Sequence, residues 1–433
     1  MMETSQSGES ADEALLALAA SSSTPIWLHL LLADRCNHAC QHCYQVQGLK
    51  GELARDQVES LLREFRAGGG FVVAFSGGEA TLRDDLIPLL AYAHELGLAT
   101  VLYTNGFTMT EALASAIAAC HVWRVEISIY SHRPAEHDAL TRTPGSWDKT
   151  TQGIRRLRAR GVNVVLKFTP TALSTSAAEQ LAVLARELDA HLFVGELVNA
   201  GEAGRLDPTD ARRSPEEAIT SFASATPEPG NSLEGKPCGA GDQLSVRSDG
   251  QVQPCSQLQI PMGQIGPHAA KLTEIAASDV ALFFREVTWA DFPGCRECDL
   301  RVHCRRCFAS AAAEVGDMLA PYRGACELAI ARYQKFSRIA AVVSADESYA
   351  SDRDPAVGPY RLDSMGNLRL TKERYGARDQ ELADRYPWLR PSREALRSSA
   401  CSVDLAHREG GLIQLRRPRK EAGMKVVQKD DAL

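Results

Sequence analysis

No apolar run in the 433 residues approaches the length of a bilayer-spanning helix, so no membrane span is expected. A secretory signal needs a basic start, whereas Glu3, Glu9, Asp12 and Glu13 precede only a short Ala/Leu stretch. Basic runs interleaved with stacking aromatics are also missing, which argues against a nucleic-acid partner. Cysteine is not scarce. Twelve occur, most in short spacings, and without an export signal that pattern points to metal sites in a reducing cytoplasm rather than to disulfides.

Composition is otherwise ordinary for a globular chain, 44% hydrophobic and 24% charged, long enough for one large domain and a smaller one, or for three small ones. The net charge of −7 is unevenly spread, because residues 331–433 hold 20 basic and 15 acidic residues. Such a tail fits a solvated surface more readily than an acidic partner. Residues 1–23 read as a mobile leader, with one helical turn over Ala14–Ala20.

Residues 26 to about 200 alternate between two periodicities. Strand-like runs are Trp27–Leu32, Phe71–Phe75, Thr100–Tyr103, Val125–Ile129, Val162–Phe168 and His191–Leu197. Between them, Asp56–Arg66, Asp84–Leu96, Thr110–Cys120, Asp148–Arg160 and Thr175–Leu188 carry apolar residues at helical spacing, several closing on Gly68, Gly97 or Gly161. This alternation predicts right-handed strand–helix–strand units around a parallel sheet, an α/β fold with six units. Chemistry in such folds collects at the C-terminal ends of the strands.

At the first of those ends stand Cys36, Cys40 and Cys43, in the run Cys36-Asn37-His38-Ala39-Cys40-Gln41-His42-Cys43-Tyr44. Three thiolates leave one iron of a four-iron cubane open, and open positions mark reactive metal sites. A zinc site or buried bystander cysteines are the competing readings, against which no fourth cysteine lies close by in sequence.

The Cys-x3-Cys-x2-Cys loop resembles the signature of the radical S-adenosylmethionine (radical SAM) enzymes. The resemblance covers roughly residues 24–330 and implies a partial (β/α)6 TIM-like barrel over 24–225. It further implies that the open iron chelates S-adenosylmethionine and that its reductive cleavage yields a 5′-deoxyadenosyl radical. Ser76-Gly77-Gly78-Glu79 resembles the family's Gly-Gly-Glu motif, with Gly77 and Gly78 allowing close backbone approach and Glu79 accepting from the cofactor's amino group. Asn105, in Thr104-Asn105-Gly106, is placed for the ribose hydroxyls, and Ser128 matches a serine that meets the methionine carboxylate or ribose. Lys167 is a further candidate for that carboxylate, and Tyr44 for packing on adenine. The plain alternatives are turn glycines, a turn Asn-Gly, a backbone-satisfying serine and a cluster-shielding tyrosine.

Past Pro227-Glu228-Pro229-Gly230 the composition changes. Cys238, Cys255, Cys295, Cys298, Cys304, Cys307 and Cys326 place seven cysteines within 89 positions. Cys-x2-Cys pairs are also standard zinc ligands. The spacing resembles the SPASM extension of peptide-modifying radical SAM enzymes, here over 226–330, and implies two auxiliary 4Fe–4S clusters. Cys238, Cys255 and Cys307 would hold the first; Cys295, Cys298, Cys304 and Cys326 would hold the second. Two residues separate Cys304 from Cys307 where three are usual. Cys120 and Cys401 fit neither set and read as small buried hydrophobes.

The resemblance implies oxidative modification of a peptide or protein after hydrogen-atom abstraction, giving a crosslink, thioether or decarboxylated product. It implies an external electron donor such as flavodoxin or ferredoxin. A sulfatase-type maturase is the first alternative, weakened by Ser256 where those maturases carry an Asp base. Porphyrin side-chain chemistry is the second. A non-catalytic iron–sulfur carrier or zinc module explains the seven cysteines but not the open triad or Glu79. Residues 331–433 form a C-terminal extension of unknown role, and substrate recruitment falls to it or to a separate protein.

Overall fold

The computed structural model describes residues 25–45, 51–174, 178–195, 198–199, 208–214, 217, 232–266, 270–337, 343–345, 360–362, 368–370, 382 and 385–386. The leader, the linker at 227–230, Cys401 and most of the C-terminal extension lie outside the described residues.

Six parallel strands carry the first half. They are β1 (Trp27–Ala33), β2 (Val72–Gly77), β3 (Ala99–Thr104), β4 (Arg124–Ser128), β5 (Val164–Phe168) and β6 (His191–Val194). The helices are α1 (Arg55–Ala67), α2 (Leu86–Glu95), α3 (Glu111–Ala119), α4 (Pro134–Thr141), α5 (Ser146–Arg158) and α6 (Ala178–Glu187). Strands pair in chain order, as expected of right-handed crossovers. One helix escaped the periodicity reading: α4 opens on Pro134 at its first turn, where proline's missing N–H costs nothing, and a proline after Arg133 reads equally well as a turn.

Alternation divides the sheet into two faces. Leu28, Leu30, Val73, Phe75, Leu102, Val125, Ile127, Val164 and Leu166 point outward and pack on Leu61, Leu62, Leu89, Leu90, Ile117, Ile154 and Leu157 of the helices. The inner face is smaller and partly polar, with Val72, Ala74 and Val101 surrounded by Trp27, Tyr103 and Trp123.

The barrel does not close. Instead β7 (Gln243–Val246) pairs parallel with β1, and β8 (Gln251–Gln253) and β9 (Gly263–Gln264) continue antiparallel, giving the sheet order β6-β5-β4-β3-β2-β1-β7-β8-β9. The boundary expected near residue 225 is therefore bridged by one sheet. Beyond it come α7 (Leu272–Ala276), α8 (Asp279–Glu286), α9 (Phe308–Val315) and α10 (Arg323–Ser337). A second core of Phe283, Phe284, Phe292, Phe308 and Leu319 has Cys238, Cys255, Cys295 and Cys307 packed on it. A smaller one of Leu300, Ala329 and Tyr333 carries Cys298, Cys304 and Cys326. Three short strands, β10 (Val343–Ala345), β11 (Tyr360–Leu362) and β12 (Leu368–Leu370), form a separate sheet. Among the described residues, no helix is long and apolar enough to cross a membrane.

Candidate active site and cysteine constellations

The first cysteine loop leaves the end of β1 and is tied down on two sides. Gly78 N donates to Ala33 O at 2.7 Å and Glu79 N to Arg35 O at 3.0 Å. A Cβ on Gly77, whose φ is +126°, would sit 2.3 Å from Ala33 O; one on Gly78 would sit 2.4 Å from Arg35 O. The glycines therefore admit the backbone of the cysteine loop, a different close approach from the one to a ligand that the motif suggested. On the other side, Ala39 N donates to Thr141 O at 3.2 Å and Gln41 N to Leu140 O at 3.1 Å, using the end of α4.

Cys36, Cys40 and Cys43 are half-buried, and none of the three is in a disulfide. Burial pushes the Cys40 thiol far up, and Cys43 and Cys36 push it further. Cys36 is raised chiefly by burial, with Glu79 and Cys43 adding to it. The three thiols thus lie within electrostatic reach of one another and resist ionising together. Positive charge from a metal site relieves that repulsion, and thiolate is the form that ligates. The donor set fits an iron–sulfur cluster in this respect.

Glu79 is 2% exposed. Its Oε1 accepts from Thr81 N at 3.1 Å, Thr81 Oγ1 at 2.6 Å and Thr104 Oγ1 at 2.6 Å. Among the described residues, its Oε2 accepts from Asn105 N alone, at 2.7 Å. The carboxylate caps the short 3-10 turn Ala80–Leu82 and joins the ends of β2 and β3. Burial raises its pKa despite these donors, and among the described residues Glu79 forms no ion pair. One oxygen is saturated and the other retains acceptor capacity, which is the requirement of a site for a cationic donor.

The other expected contacts are arranged differently. The Asn105 side chain donates to Asn37 Oδ1 at 2.7 Å and accepts from Phe107 N at 3.0 Å, so it braces the cysteine loop. The Ser128 hydroxyl bonds Tyr130, which packs edge-on against His42 at 4.5 Å. Lys167 pairs with Glu126 at 3.1 Å and lies 3.5 Å from the centre of the Phe193 ring. Tyr44, its hydroxyl pKa raised by burial, bonds the side chains of Gln257 and Ser256 and so spans from the first cysteine loop to the second cysteine region.

Sequence reasoning passed over the inner-face group around Glu126. This carboxylate is 3% exposed, with Arg124 Nε at 2.8 Å and Lys167 Nζ at 3.1 Å. Beside it, burial drives His29 down to about 4, leaving a neutral imidazole stacked on Trp27 and tilted 5.6 Å from Tyr103. Charged residues at alternate positions 124 and 126 of an otherwise apolar strand were the available signal.

In the second region the thiols fall into two groups. Burial raises Cys238 and Cys255 to about 12, each reinforced by Cys307. Burial likewise raises Cys304, reinforced by Cys295 and Cys298. Cys326 packs with Cys298 and Cys304 against Leu300. Cys238, Cys255 and Cys307 thus lie within electrostatic reach of one another, as Cys304 does of Cys295 and Cys298, while Cys295 packs on the same core as the first group. His303 meets Tyr333 edge-on at 5.6 Å and its pKa is lowered by burial.

Comparison with known proteins matches the same two regions. The Radical SAM superfamily model matches residues 30–187, and the iron–sulfur cluster-binding SPASM domain model matches residues 238–299. An AdoMet-dependent heme synthase of Nitratidesulfovibrio vulgaris is 28% identical over 66% of this chain and 88% of its own. Mycofactocin maturase MftC of Mycobacterium tuberculosis is 31% identical over 41% of this chain; the match spans about half of that relative, 46%. The solved structure of anSMEcpe with bound AdoMet and Cp18Cys peptide aligns with a TM-score of 0.53 at 16% identity, covering 72% of this chain and 97% of that one, and shares the fold.

Proposed function

This chain belongs to the radical S-adenosylmethionine enzymes of the SPASM subfamily, which use S-adenosylmethionine, a 4Fe–4S cluster and auxiliary iron–sulfur clusters, and we propose that it oxidatively modifies a polypeptide side chain after hydrogen-atom abstraction. Residues 24–225 form the radical-generating unit and 226–330 the auxiliary-cluster unit, with substrate recruitment falling to the extension 331–433 or to a separate protein. Cys36, Cys40 and Cys43 hold the cluster to which the cofactor binds. When bound, the pair supplies one-electron cleavage of the sulfonium to a 5′-deoxyadenosyl radical. Cys238, Cys255 and Cys307 hold one auxiliary cluster; Cys295, Cys298, Cys304 and Cys326 hold the other. A small electron-transfer protein such as flavodoxin or ferredoxin is the external reductant, and the reduced thiols fit a cytoplasmic enzyme.

The observation that carries the cofactor assignment is Glu79. A buried carboxylate with neutral donors, one under-used oxygen and, among the described residues, no cation lies in electrostatic contact with Cys36. The amino group of S-adenosylmethionine is the missing cation. Asn105 and Thr104 hold the carboxylate in place, and Tyr44 ties the cysteine loop to Ser256 and Gln257.

The polypeptide assignment is supported by an edge of the sheet that no strand of the described residues covers. β6 ends the strand order with His191 and Phe193 exposed, so an extended chain can approach along backbone. A tetrapyrrole substrate is the second reading, favoured by the match to 88% of a heme synthase. Incubation of the reduced holoenzyme and S-adenosylmethionine with candidate precursor peptides, and separately with a propionate-bearing porphyrin, separates the two. A peptide mass shift matched by 5′-deoxyadenosine supports the first reading; turnover of the porphyrin alone replaces it.

A further inference from the structure

The two-residue spacer between Cys304 and Cys307 is Arg305-Arg306, and Arg306 is buried at 5% exposure. Its Nη1 donates to Leu319 O at 3.0 Å and approaches Cys295 Sγ at 3.6 Å. Its Nη2 donates to Met318 O at 2.5 Å and to Ala320 O at 3.0 Å. Phe292 lies under the guanidinium, 4.1 Å from its ring centre, and Phe308 at 6.0 Å. Arg306 Nε is buried without a hydrogen-bond partner, and among the described residues no carboxylate pairs with the side chain.

A guanidinium stays charged at any physiological pH, so burial cannot neutralise it. Carbonyl oxygens accept from both Nη groups but leave its net charge uncompensated, and an uncompensated buried charge is strongly unfavourable. The surroundings show where the compensation lies. Arg306 lies on Phe292 and Phe308, two rings of the core on which Cys238, Cys255, Cys295 and Cys307 pack. It touches Cys295 and precedes Cys307, one member of each group.

We infer that Arg306 is the shared counter-cation of the two auxiliary cluster sites, holding both at higher reduction potential so that each accepts an electron more readily. The inference rests on the reading of residues 238–326 as two cluster sites. Its physical basis is simple: a cluster gains one negative charge on reduction, and a fixed buried cation stabilises that form more than the oxidised one. The anionic sites in turn supply the charge that Arg306 lacks among the side chains. Arg306 is a positioning residue and touches no reacting atom.

The test is an anaerobic redox titration of the reconstituted holoenzyme, followed by electron paramagnetic resonance, with iron counted in the same samples. Arg306→Gln removes the charge; Arg306→Lys keeps it. In Arg306→Gln the reduction equilibrium of both auxiliary clusters should fall about tenfold or more, or about 59 mV for one electron, while Arg306→Lys stays near wild type and the barrel cluster does not move. Loss of auxiliary iron in the Gln variant but not the Lys variant also supports the charge role. Full iron with unmoved potentials in Arg306→Gln overturns the inference alone. Loss of iron in both variants overturns it in favour of a purely architectural arginine. Wild-type protein with iron only at the barrel site overturns the inference and the cluster reading together.

Discussion

At the scale of single residues, Glu79 has a structural role as a cap and a proposed role toward the cofactor, which two substitutions together distinguish. Glu79→Gln keeps the size but presents an amide where N–H and O–H donors converge, so both stability and cofactor binding should fall. S-adenosylmethionine affinity is expected to drop about tenfold, since a charge-assisted bond contributes roughly 1.5–3 kcal/mol. Thr104→Val removes one donor to the same carboxylate and should lower the unfolding midpoint with a smaller change in affinity. Equilibrium titrations beside thermal unfolding of both variants check this; equal affinity in Glu79→Gln and wild type removes Glu79 from the cofactor site. The pH dependence has a defined sign. Burial raises the Glu79 pKa, so its ionisation opposes apo-protein stability as pH rises above the usual carboxylate range. Cofactor binding needs the ionised form, so the dissociation constant should rise as pH falls toward the raised value, and should not do so in Glu79→Gln. The cysteines and Glu79 were legible because chemistry of this kind demands particular residues at particular spacing. Arg306 was not, because a buried arginine has no spacing rule and is recognisable only from what surrounds it.

At the scale of elements, the strands and most helices were legible in the periodicity, to within one or two residues at many ends. Long amphipathic segments such as α1 and α5 announce themselves, whereas α4 has eight residues and a proline start. What the strand pattern could not reveal is which polar residues of the inner face meet, because residues paired across β1, β3, β4 and β5 are remote in sequence. That face has a measurable consequence. His29 is held down to about 4 by burial, so below its ordinary value of 6.5 the unfolded chain takes up a proton that the native chain refuses. Stability contributed by the neutral imidazole is present above 6.5 and is lost as pH falls toward about 4. The loss approaches 1.4 kcal/mol per pH unit for this group. Urea unfolding of wild type and His29→Phe at about pH 7 and about pH 5.5 should show a pH dependence shallower by about one proton in the variant. Identical slopes would place the acid sensitivity elsewhere.

At the scale of the whole molecule, three cysteine groups predict a metal inventory. Anaerobically prepared protein should carry about 12 iron and 12 sulfide per chain, three sites of four. Stoichiometric zinc with iron near four would remove the auxiliary clusters and leave the barrel assignment standing. Replacing Cys36, Cys40 and Cys43 by Ala should abolish reductive cleavage of S-adenosylmethionine. Replacing Cys295 and Cys298 should spare part of it while product is lost, provided the variant still unfolds cooperatively. The sheet that joins both halves bears on how this chain reaches its native state. β1 is hydrogen-bonded to β2 on one side and, some two hundred residues later, to β7 on the other. During synthesis the strand that leads into the cysteine loop therefore waits, with one row of backbone donors and acceptors unsatisfied, until the auxiliary region emerges. Such long-range pairing is slow to form, and an exposed apolar edge recruits other chains. A chain ended at residue 225 should keep its helices yet self-associate, with β1 as the adhesive edge, and the full-length protein should depend on its second half for solubility as much as for chemistry.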